Sequence, residues 1–120
     1  MKNKTQNMVW YALHITPHME EYMITTKQRA YLRGLGNALD PVVQVGKEGL
    51  SENLITSVNL LLEAREIVKI KVLKNCDLTA KEVANSLSSA TNSDVVQVIG
   101  AIIILYKKST RKNFKHIELP

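Results

Sequence analysis

From residue 25 onward the apolar positions alternate between a helical spacing and a strand spacing, and this alternation lays out the elements. Thr25 with Gln28 makes a capping-box pattern for a helix through about Leu35, ended by Gly34 and Gly36. Asp40-Pro41 marks a turn, because a residue before proline is pushed out of the helical region. Val42 to Val45 then reads as a short buried strand. A second helix, capped by Ser51 and running to Arg65, carries a core stripe at Leu54, Ile55, Val58, Leu61 and Leu62. Ile67 to Leu73 predicts a half-exposed strand, with Val68, Ile70 and Val72 on one face and Lys69 and Lys71 on the other. Thr79 with Glu82 is another capping box, opening a helix through about Ala90 that turns Val83, Ala84 and Leu87 inward and breaks at Asn92-Ser93. Two β-rich runs, Val95 to Ile99 and Ala101 to Tyr106, flank Gly100, whose freedom suits a bulge or a tight corner.

The order α-β-α-β-α-β-β predicts an α/β fold, a compact sandwich of a four-stranded mixed sheet with three helices. Right-handed crossovers make some neighbouring strands parallel. No internal repeat or low-complexity linker divides Thr25 to about Phe114, so these residues should fold as one unit. Residues 1–22 differ in character and are expected to be a loosely ordered N-terminal extension, with 23–120 forming the domain and its basic C-terminal tail. The apolar patch Met8 to Leu13 is too short to span a membrane, and it lacks the length and cleavage site of a signal peptide. His14 and His18 have a metal-compatible spacing, but Pro17 between them disfavours a regular helix and no third ligand is evident, so no metal site is assigned.

A length of 120 residues, 45% hydrophobic and 22% charged, supports one ordinary core. The single cysteine, Cys76, can form neither an internal disulfide nor a metal or redox pair, which fits a reducing, cytoplasmic setting; it reads as a small half-buried residue without chemistry. A net charge of +5 suggests a polyanionic partner, and with only 5% aromatic residues its recognition should lean on backbone electrostatics rather than base stacking.

Gly46-Lys47-Glu48-Gly49 lies between the first strand and the second helix. Two glycines three apart let the backbone turn tightly and approach a partner, and the N–H groups and positive dipole end of the next helix favour an anion. Lys47 adds a mobile point charge suited to a phosphate. The RNA-binding set read from the sequence is Gly46, Lys47 and Gly49, widened by Lys27, Arg29 and Arg33 on the first helix and by Lys107, Lys108, Arg111 and Lys112 after the last strand. Lys74, Lys81 and Lys115 read as ordinary solvated charges, and Arg65 as the partner of a neighbouring glutamate. Tyr106, ending an apolar strand, reads as packed rather than as a base reader. An enzyme built on this loop would need an acid, base or nucleophile, yet only Glu48 and Ser51 are near and no histidine lies between His18 and His116. No catalytic residue, cofactor or small-molecule substrate is assigned. The competing reading is a protein-interaction module that docks an acidic partner on the basic face.

Several ordered blocks resemble the CRM domain (chloroplast RNA splicing and ribosome maturation), in particular its bacterial single-domain YhbY-like members. They are Gln28-x-x-x-Leu32-Arg33, Pro41 to Leu50 with its glycine loop, Glu63-Ala64-Arg65-Glu66 with Lys69-x-Lys71-Val72, and Val95 to Gly100 with Leu105-Tyr106-Lys107, together spanning residues 25–108. The resemblance implies a fold similar to the C-terminal domain of translation initiation factor three. It also implies binding to ribosomal RNA in precursors of the large subunit, no catalysis, and a glycine loop that packs on the sugar-phosphate chain as in KH domains. The chain is expected to act as a monomer, without a membrane. It departs from the family pattern at Ala101 and Lys107, where relatives often carry basic residues and arginine, which implies weaker planar phosphate recognition on that side.

Overall fold

The computed structural model describes residues 24–120; the readings made on residues 1–22, including His14 and His18, lie outside them. Seven elements follow in the expected order: α1 (Thr26–Asn37), β1 (Val43–Val45), α2 (Glu52–Arg65), β2 (Ile67–Val72), α3 (Ala80–Thr91), β3 (Asp94–Ile99) and β4 (Ile102–Tyr106). The four strands form one mixed sheet in the order β1-β2-β4-β3, with β1 parallel to β2 and the other pairs antiparallel.

Both capping boxes form, at Thr25 and Thr79, and Ser51 accepts from the Leu54 N–H at 3.1 Å. Each cap satisfies amides that the first helical turn leaves without partners. Asn92 ends α3 in the left-handed region at φ +56, which asparagine tolerates better than most residues.

Strand alternation divides the core between two sheet faces. On one face Val43, Val45, Val68, Ile70, Val72, Ile103 and Leu105 pack beneath Val58 and Leu62 of α2 and Val83, Ala84 and Leu87 of α3. On the other, Ile67, Ile104, Tyr106 and Val96 pack with Leu32 of α1, and Ile117 and Leu119 from the C-terminal segment complete that cluster. Helices therefore cover both faces. Cys76 is half-buried against the first cluster.

The first helix does not end at its glycines. It runs through Gly34 and Gly36 to Asn37, and Gly36 is buried where α1 crosses the sheet: a Cβ there would lie 2.6 Å from Ile104 Cδ1 and 3.0 Å from its Cγ2. The missing side chain, rather than a helix stop, is what the packing uses. Gly100, at φ +56, forms the tight corner with Ala101 between the paired Ile99 and Ile102. The bulge of this hairpin lies instead at Val96, between Val95 and Gln97, and it turns the Val96 side chain into the second cluster.

Candidate nucleic-acid interface

Because β1 and β2 are parallel and in register at Val45 and Val72, the loops that follow them leave the same end of the sheet. Gly46 to Gly49 closes as a tight turn, with the Gly49 N–H donating to the Gly46 carbonyl at 3.0 Å. Gly49 stands at φ +64, a conformation that any side chain would strain. Lys47 and Glu48, the corners of the turn, are exposed. In α2 the Glu52 and Asn53 amides, both on exposed residues, have no partner among the described residues. Glu48 and Glu52 keep this end from being uniformly positive, so attraction for a phosphate there is local to Lys47 and the free amides.

The remaining expected cations do not gather around this turn. Strand β4 runs antiparallel to β2, with Tyr106 opposite Ile67, so Lys107, Lys108, Arg111 and Lys112 emerge at the opposite end of the sheet from Gly46. Six residues of β2 separate the two ends, about 17–20 Å at the rise of a strand. Lys27 belongs to the same end as the C-terminal segment, since the neighbouring Gln28 Nε2 donates to the Pro120 carbonyl at 3.3 Å. Lys27, Lys108, Arg111 and Lys112 are exposed. Lys107 is half-buried, with its Nζ 3.8 Å from Glu63 Oε2. Arg29 is half-buried and donates to the Val95 carbonyl at the β3 bulge, so its charge is used inside the fold; Arg33, one turn on, is also half-buried.

The C-terminal segment is tied down rather than trailing in solvent. Glu66 caps α2 at φ +67 and is fully buried; its carboxylate accepts from the Ser109 and Ile117 N–H groups, each at 2.7 Å, and meets His116 Nδ1 at 2.5 Å. Burial pushes this carboxyl up, but the hydrogen bonds from His116, Ile117 and Ser109 outweigh it and hold the group below the ordinary carboxylate range. Glu63 is also held low, first by the Thr110 hydroxyl and then by the Thr110 N–H. These anchors fix where the exposed cations between them stand. Arg65, expected to pair with a glutamate, makes no ion pair among the described residues, because Glu63 and Glu66 on either side are engaged by residues 107–117. Tyr106 is buried, and burial followed by the Glu66 and Asp94 charges pushes its phenol up to about 12, so it stays neutral and packed.

Two features lie beyond the reach of the local sequence. Lys74 is exposed, in keeping with a solvated charge, and with Asn75 it lies beside the glycine turn, a neighbourhood created by parallel strand pairing. Glu66 and His116 are 50 residues apart, with no local signal linking them.

The domain is thus a three-layer α/β sandwich with an exposed glycine turn at one end of its sheet and anchored cations at the other. The chain belongs to the CRS1/YhbY (CRM) domain family, whose model matches residues 24–107. It is 45% identical over 98 residues to the probable RNA-binding protein YqeI of Bacillus subtilis, covering 82% of this chain and 100% of that relative. It is 34% identical over 97 residues to an RNA-binding protein of Haemophilus influenzae, covering 81% and 95% respectively. Among solved structures it resembles the solution structure of the protein SAV1595 from Staphylococcus aureus, with a TM-score of 0.68 and 47% identity, covering 82% of this chain and all of that one.

Proposed function

We propose that this protein binds RNA by its sugar-phosphate backbone and assists assembly of the large ribosomal subunit, acting as a cytoplasmic monomer without catalysis. The observation that carries the reading is the exposed Gly46–Gly49 turn, with Lys47 at its first corner and the free Glu52 and Asn53 amides behind it. Relatives named as RNA-binding proteins support RNA as the partner; ribosomal RNA in large-subunit precursors is what the resemblance to the CRM family implies. The glycines let main chain approach the strand, Lys47 and the α2 amides hold one phosphate, and Lys27, Lys108, Arg111 and Lys112 engage the polymer at the far end of the sheet. Contacts of this kind read shape and backbone more than sequence.

Sedimentation of cell extracts, with and without ribonuclease and high salt, tests the reading. Co-migration with large-subunit precursors that is lost on RNA digestion is expected. Persistence on large particles after digestion at high salt would instead assign the basic surface to an acidic protein partner.

A further inference from the structure

A second tight turn stands against the glycine turn, built to the same plan. The Cys76 N–H donates to the Leu73 carbonyl at 3.1 Å, so Lys74 and Asn75 are its corners as Lys47 and Glu48 are those of the first. Both turns begin at strand ends paired in register, Val45 with Val72, and the Leu73 N–H donates to the Val45 carbonyl at 2.8 Å. Adjacent strands run about 4.8 Å apart, so the two turns start side by side at the same end of the sheet. The turns come close at Gly46: a Cβ there would lie 3.3 Å from Asn75 Oδ1, 3.5 Å from Leu73 Cδ1 and 3.8 Å from Asn75 Nδ2. Main chain brought against Gly46 therefore meets the Asn75 amide.

Asparagine often occupies turns because it tolerates the left-handed region or bonds its own backbone. Neither reason applies here. Asn75 is not among the residues with positive φ, and its exposed amide makes no hydrogen bond among the described residues. Lys47 and Lys74 are donors only and recognise charge, whereas an amide both donates and accepts, as a ribose 2′-hydroxyl does.

Resting on the glycine-turn reading above, we infer that the Leu73–Cys76 turn is the second jaw of one clamp, in which Lys74 holds a neighbouring phosphate and Asn75 reads the ribose 2′-hydroxyl. The clamp then distinguishes RNA from DNA with no base contact.

Fluorescence anisotropy on the full chain tests this, with a mixed-sequence single-stranded RNA of about eight nucleotides and its 2′-deoxy counterpart, a length within the site sizes of small single-strand binders. The protein should prefer the RNA. Asn75→Ala should weaken RNA binding by about threefold to tenfold, the range of one neutral hydrogen bond, and leave DNA binding nearly unchanged. Lys74→Ala should weaken both. Equal affinity of the unaltered protein for the two polymers overturns the inference, as does an Asn75→Ala variant whose RNA-to-DNA ratio is unchanged. Those results, obtained while Lys47→Ala still lowers affinity for both polymers, remove the second jaw alone. No loss on Lys47→Ala removes the glycine-turn reading beneath it.

Discussion

Glu66 and His116, 50 residues apart in the chain, meet at 2.5 Å, and this contact fastens the C-terminal segment across the end of the sheet. The same carboxylate takes the amides of Ser109 and Ile117, so one buried side chain holds both ends of the strap. Glu66→Ala strands these donors and should cost about 2–4 kcal/mol, the scale of breaking a buried charged network. Denaturant unfolding measures the loss, and hydrogen exchange should rise first in residues 107–117.

Acid should release the same strap. Glu63 and Glu66 titrate below their ordinary value of 4.5, so the unfolded chain takes up protons before the folded one. Their contribution is full above that value and is lost as pH falls through the lowered folded values. Melting temperature against pH should show this decline below about pH 4.5. Glu66→Gln, which removes the charge, should flatten the acid limb.

Two glycines in one helix should answer alanine with opposite signs. Gly34 has nothing within 4 Å of an added Cβ, so Gly34→Ala should stabilise by about 0.5–1 kcal/mol through helix propensity. Gly36 faces the buried Ile104, whose Cδ1, Cγ2 and Cγ1 would all have to shift to admit a Cβ, and Gly36→Ala should destabilise by about 1–3 kcal/mol. Thermal unfolding of the pair decides it.

Lys47→Ala should weaken RNA binding by about 1 kcal/mol, roughly fivefold, and make the logarithmic salt slope shallower by about one unit. RNAs of equal fold and different sequence should be affected alike. Titrations at several salt concentrations measure both quantities.

Arg29 should separate from the surface cations in its effect. Its guanidinium caps the Val95 carbonyl at a bulge, so Arg29→Ala should cost about 1 kcal/mol of stability with little change of RNA affinity per folded molecule. Replacing Lys108, Arg111 and Lys112 together by alanine should do the reverse, lowering the salt slope by up to about three units while stability holds.

Local chemistry was enough to specify the elements, because capping boxes, strand alternation and the Asn92 break depend on residues only a few positions apart. The glycine turn and its lysine were legible for the same reason. The role of Gly36 was not, since a glycine near a helix end suits both a stop and a close contact, and only the position of Ile104 distinguishes them. The candidate site also depended on direction. Once β1 pairs parallel to β2 and β4 runs antiparallel, Lys74 and Asn75 are brought beside Gly46, and Lys107 to Lys112 are sent to the other end. The chain by itself determined which pieces form and where the glycine turn and the cations stand along it. Only the tertiary structure decided which of them share a place, because strand pairing joins residues far apart in sequence and leaves no periodic trace along it.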